Sequence, residues 1–186
     1  MCISNEINNE GNIVSESSIN ASTIGNNNNN SINVYVQNNS NGFSRNEIHD
    51  IEVLERILSC VPKRFNERLE TLLLCNRRYK RDELDYVHEM NEKINDTDNY
   101  LINSELRMLA EKMGEAFSDL GWKIAGRFAP ARDDITYQVL DRPLGNDEKA
   151  RNQYYDYLTK ELPEAINNAF VAYTNLCHKR TELFGI

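Results

Sequence analysis

The sequence predicts an all-α protein: a helical bundle of about five to six helices behind an Asn-rich N-terminal tail, with one extended insert around residues 129–146. Three observations carry this reading. Apolar residues recur at three- and four-residue spacing through most of residues 43–186. Between Met1 and Gly42, 14 of 42 residues are asparagine, a composition that cannot bury enough apolar area to offset ordering entropy. Pro130, Pro143 and Gly145 punctuate the one long stretch of the second part that lacks helical periodicity. The chain therefore divides into a low-complexity segment, 1–42, and a bundle domain, 43–186.

Within the tail, "INVYVQ" alternates, with Ile32, Val34 and Val36 on one face and Asn33, Tyr35 and Gln37 on the other. No partner strand lies nearby in sequence, and neither proline nor charge interrupts it. Asn amides form ladders between identical stacked chains, so the segment is a candidate for pairing with copies of itself through Ile32, Val34 and Val36. Over about 25 residues, by composition, it resembles the Asn/Gly-rich amyloid signalling segments attached to helical effector domains in fungi and bacteria. That resemblance implies assembly through the tail. The composition alone favours the plainer reading, a flexible tether.

Beyond Gly42 the helices follow in order. "SRNE", Ser44–Glu47, fits a capping box, and Ile48, Ile51, Leu54, Ile57, Leu58 and Val61 then share a face until Pro62. Phe65, Leu69, Leu72 and Leu73 mark a second helix, extended in phase to Tyr79. A polar third helix is expected over "RRYKRDELDYVHEMNEKIND", and "NDTDN" interrupts it. The strongest pattern is Leu106, Leu109, Met113, Ala116, Phe117, Leu120 and Ile124, capped by Asn103 or Ser104. Gly114 and Gly121 fall on similar faces of that helix at a cost of about 1 kcal/mol each; such glycines are more often merely tolerated, and the alternative is that they leave room for a close neighbour. "ITYQVL" is a short strand candidate without a visible partner, read as lying extended over the bundle. Asn146 or Asp147 opens the last region, where Leu158, Leu162, Ala165, Ile166, Ala169, Phe170, Tyr173, Leu176, Cys177, Leu183 and Phe184 keep one phase across Pro163. Either a kink or a new helix at Pro163 satisfies that phase.

The formal net charge is −8, with −5 of it in residues 43–186, which argues against non-specific binding to nucleic acid or membranes. No secretory pattern opens the chain and no apolar run is long enough to span a bilayer. Cys2, Cys60, Cys75 and Cys177 are scattered and read as free thiols, so an intracellular, cytoplasmic protein is expected.

Catalytic chemistry is hard to place. Asp85 and His88 form a single i,i+3 pair, where a di-iron bundle needs two such pairs and more carboxylates. Cys177 and His178 are neighbours whose side chains diverge by about 100° on a helix. No phosphate-cradling glycine motif is present. Asp133, Asp134 and Asp141 imitate a carboxylate site, but Arg132 and Arg142 beside them suggest local ion pairs. No catalytic, cofactor-binding or metal residue is assigned.

One charge cluster stands apart. Lys63, Arg64, Arg68, Arg77, Arg78, Lys80 and Arg81 against Glu67 and Glu70 give residues 63–81 a net charge of +5. The plain reading is a solvated basic face paired with the acidic stretch that begins at Asp82; Arg77, Arg78, Lys80 and Arg81 around Tyr79 also suit an acidic protein partner or phosphate contacts with base stacking. Tyr155 is expected at the surface while Tyr154 and Leu158 turn inward. The expected function is a non-enzymatic interaction protein, an adaptor, effector or inhibitor, with Arg77, Arg78, Lys80, Arg81 and Tyr155 as partner-binding candidates. A nucleic-acid-associated regulator using residues 63–81 is the alternative. A homo-oligomer is compatible with both.

Overall fold

A computed structural model describes residues 42–143 and 147–186. The expectations for the tail, including Ile32, Val34 and Val36, lie outside the described residues. Residues Phe43–Ile186 form one unit, and it is a helical bundle.

Helix α1 (Arg45–Leu58) starts at the capping box. The Ser44 hydroxyl accepts from the Glu47 amide at 3.3 Å, and the Glu47 carboxylate accepts from the Ser44 amide at 2.7 Å. Ser44→Ala removes one half of this exchange and is expected to cost about 1 kcal/mol, read as a lower urea midpoint. Ser44→Asp, which keeps an acceptor, should restore most of it. The buried face of α1 is Asp50, Val53, Leu54, Ile57 and Leu58, with Ile48 and Ile51 only half-buried. The face is thus rotated from the expected stripe, because Asp50 points inward. It is 3% exposed and accepts the amides of Ile102 at 2.6 Å and Asn103 at 2.9 Å. Arg56 adds bonds to Asn99 Oδ1 and the Asp98 carbonyl, so α1 holds the whole approach to the fourth helix.

Helix α2 (Phe65–Leu69) widens into a π turn, Glu70–Asn76, and stops there. The expected third helix does not begin at this point. Arg78–Lys80 is instead a strand, β1, and a 3-10 turn leads into α3 (Asp85–Asn95). Tyr79 is buried as expected, but from a strand rather than a helix. Asn103 caps α4 (Ser104–Ala125), accepting from the Glu105 and Leu106 amides.

Helix α4 buries Leu106, Ala110, Met113, Gly114, Phe117, Leu120, Gly121 and Ile124. Both glycines are contact points rather than tolerated weaknesses. A Cβ at Gly114 would lie 3.1 Å from Asn91 Oδ1 and 3.2 Å from Ile94 Cδ1, and one at Gly121 would lie 3.3 Å from His88 Nδ1. The order of these contacts makes α3 antiparallel to α4. Phe65 sits among four rings, those of Tyr86, Phe117, Phe170 and Tyr173, with centroids 5.4–6.3 Å away.

After α4, Phe128–Pro130 (β2) and Tyr137–Leu140 (β3) form a hairpin. The partner of "ITYQVL" lies on both sides: β3 is the central strand of an antiparallel sheet ordered β1-β3-β2. The insert is therefore paired to the 78–80 segment instead of draped over helices.

Asp147 caps α5 (Glu148–Asp156), which runs through a second π turn, Tyr157–Glu161, into α6 (Leu162–Phe184). The backbone stays right-handed at Asp156, Glu161 and Leu162, so Pro163 does not separate two helices. The missing N–H of Pro163 falls where the wider turn has already given up the regular bond, the Leu162 amide reaching Tyr157 O instead. The extra residue in that turn shifts the phase, burying Tyr157 and leaving Leu158 half-buried, against the expected Tyr154–Leu158 pair. Ion pairs Lys179–Glu105 at 2.9 Å and Lys123–Glu161 at 3.9 Å mark α6 as antiparallel to α4. No helix of the described residues is long and apolar enough to cross a membrane.

Candidate interaction surface

The surface begins at a change of direction. Arg77 terminates the π turn with its amide donating to Leu72 O and adopts a left-handed φ of 54°, which costs a non-glycine residue roughly 1–2 kcal/mol. Two bonds hold it there. Its carbonyl accepts the Leu140 amide at 3.0 Å, and its Nη1 donates to the Tyr154 hydroxyl at 3.2 Å.

Strand alternation then sorts the basic cluster. Tyr79 turns inward against Phe128, ring centroids 5.3 Å apart, and burial pushes its phenol up to about 12. Arg78 and Lys80 turn outward around Tyr137 of β3. The Arg78 guanidinium lies 4.3 Å from that ring centroid and the Lys80 ammonium 5.7 Å. Val139 and Ala129 share the outer face with them, by register. One face of the sheet is thus packed by Tyr79, Phe128 and Leu140, and the other presents two cations, a tyrosine and two small apolar side chains.

The five expected partner residues are placed in two groups. Arg78 and Lys80 stand together, with Arg81 exposed at the end of the strand. Arg77 points elsewhere, to Tyr154, whose ring lies edge-on to that of Tyr155 at 5.8 Å. Tyr155 is 61% exposed, as its helical position requires. Tyr137 and Val139 were absent from the expected set. Their signal was the alternation in "ITYQVL", which places both on one face.

Internal pairing uses part of the positive charge. Arg64, Arg68 and Arg78 pair with Glu67, Glu83 and Asp133, and no carboxylate pairs with Lys63, Lys80 or Arg81 among the described residues. Asp133 therefore bonds to Arg78 at 3.0 Å, across the sheet, and not to the adjacent Arg132. The hydrogen bond from Arg78 holds the Asp133 carboxyl below its usual range. Asp134 is likewise lowered, by the hydroxyl of Thr136, whose amide it also accepts. Asp141 stands apart from both, just beyond the far end of β3, where its amide donates to the Arg127 carbonyl at 2.9 Å.

At the β2 edge of the sheet, β2, the end of β3 and α5 line an open cleft of about 220 Å³. Arg127, Phe128, Asp141, Gln153 and Tyr154 line it.

Among the described residues no three His, Cys, Asp or Glu side chains are grouped to hold a metal ion. His88 packs against Gly121. Burial raises the thiols of Cys60 and Cys177, which lowers the nucleophilic thiolate fraction at neutral pH. No protein-family model, curated protein or solved structure matches the chain.

Proposed function

We propose that the chain is a non-enzymatic interaction protein, of the adaptor, effector or inhibitor kind, that binds an acidic protein partner through the outer face of its sheet. The observation that supports this most is the pairing of Arg78 and Lys80 around Tyr137 on a sheet whose other face is packed into the bundle. Tyrosine and arginine on a rigid element supply contact area and charge with little ordering cost, the pattern of energetically dominant interface residues. Tyr155 extends the surface along α5. Self-assembly through Ile32, Val34 and Val36 belongs to the same proposal, as a means of presenting several copies of the surface.

A photo-crosslinking amino acid in place of Lys80 or Tyr155, compared with one at the exposed Asn167, tests the surface in cells. A discrete adduct from the first two positions alone is expected. Adducts of equal yield from Asn167, or none from any position, would remove the proposal. The mass of the adduct separates a foreign partner from a second copy. Light scattering on the full chain and on residues 43–186 tests the tail: assembly of the full chain only is expected, and equal stoichiometry eliminates tail-driven assembly.

The second reading, nucleic-acid binding through residues 63–81, draws support from the free charges of Lys63, Lys80 and Arg81 beside an aromatic ring. Three of the seven cations of that patch are already paired with carboxylates, which favours the protein partner. Binding of single-stranded DNA or RNA with a log–log salt slope of about −2, abolished by charge reversal of Arg78, Lys80 and Arg81, would establish it. Arg77 is left unchanged in that variant because its side chain supports Tyr154.

A further inference from the structure

The cleft at the β2 edge of the sheet collects features that the surface reading does not use. Arg127 leaves the end of α4 and places its guanidinium 5.4 Å from the ring centroid of Tyr157. Tyr157 is the first residue of the second π turn and is fixed by its hydroxyl donating to the Lys123 carbonyl at 3.1 Å. π turns inside helices are frequent at functional sites. Arg127 forms no ion pair among the described residues, and its side chain is exposed at the cleft.

Tyr154 lines the same cleft and is 9% exposed. Its oxygen accepts from Arg77 Nη1, which leaves its own proton to donate, and no acceptor for that proton is present among the described residues. Gln153 adds amide donors beside it. One cationic residue and two residues with neutral donor groups thus line about 220 Å³. That volume is smaller than the roughly 300 Å³ or more of sites that enclose a small-molecule ligand. It matches a pocket that takes one side chain of a partner.

We infer that the cleft is a carboxylate-binding site that receives a glutamate or aspartate side chain. Arg127 supplies the charge, and Tyr154 and Gln153 donate to the carboxylate oxygens. Asp141, also in the lining, accepts an N–H of the incoming peptide. Asp141 also sets the selectivity: its negative charge opposes a doubly charged phosphate more than a singly charged carboxylate. The source of the side chain, a protein partner, rests on the interaction proposal; the affinity of the cleft itself does not.

The test is a titration of the isotope-labelled full-length protein with N-acetylglutamate methylamide, following the Arg127 Nε–H and Gln153 amide resonances. N-acetylglutamine methylamide and inorganic phosphate are the comparison probes. A saturable shift with a dissociation constant of about 1 mM is expected, and the glutamine probe should bind at least about tenfold more weakly. Arg127→Gln should weaken glutamate binding by about tenfold and Tyr154→Phe by about threefold, the latter keeping the ring should Arg127→Gln fail to fold. No saturable shift, equal binding of the glutamine probe, or tighter binding of phosphate would each overturn the inference. Those failures leave the crosslinks at Lys80 and Tyr155 standing, whereas glutamate binding without crosslinks removes the partner and keeps the cleft.

Discussion

Replacing Asp50 with alanine is expected to destabilise the protein by about 3 kcal/mol and lower its midpoint of thermal unfolding by about 10 °C. Asp50 is almost fully buried and accepts two backbone amides, those of Ile102 and Asn103. Alanine leaves both part-buried donors without their partner, and each such orphan costs about 1–3 kcal/mol. The damage also spreads along the chain. Asn103 is the residue whose side chain caps α4, so releasing its amide loosens the cap. Asp50→Asn keeps one acceptor and should cost about half as much. Urea titrations followed by far-ultraviolet dichroism would read both variants. Equal stability of wild type and Asp50→Ala would show that the two amides find water or another acceptor.

Gly114→Leu carries the other large expected effect, a loss of about 3 kcal/mol or more, with α3 displaced from α4. The space beside Gly114 is already occupied by Asn91 and Ile94 at barely more than 3 Å from an added Cβ. Alanine at the same position is a different case. Its intrinsic helix preference over glycine is about 1 kcal/mol, and the atoms it meets are the ends of movable side chains. Gly114→Ala should therefore lie within about 1 kcal/mol of wild type. A steep fall from alanine to leucine measures how closely the two helices approach. A shallow one would mean that α3 moves freely away.

These two sites were unequally legible in the sequence. The glycines were visible as a spacing on one face of a strongly patterned helix, and only their contacts were missing. Asp50 was invisible. Asp50, one of two carboxylates between Ile48 and Leu54, counts as solvent-facing in the periodicity, and its partners are amides 52 and 53 residues away. The helical stripes of α1, α4 and α6 read clearly because each repeats over several turns. β1 did not, because three residues are too short to display alternation, and Tyr79 fits the phase of the helix before it as well as that of a strand. Once β1 was read as helix, β3 lost its partner, and the outer face carrying Tyr137 and Val139 could not be assembled. The same limit hid the cleft, since Arg127, Asp141 and Tyr154 meet only after the hairpin has formed.

The sheet joins segments that are far apart along the chain, Arg78 with Val139. Closing a loop of that length carries an entropic cost that three short rungs of hydrogen bonds repay only if α3 and α4 are already folded against each other. The sheet should accordingly be a late-closing and early-opening unit, with the amides of Tyr79 and Leu140 exchanging with solvent by local opening while the amides of Leu106 and Phe117 wait for global unfolding. A partner seated across β1 and β3 would bridge the two ends of this loop and slow that opening. Its arrival would be recorded as protection at the sheet, even where no side chain is seen to move.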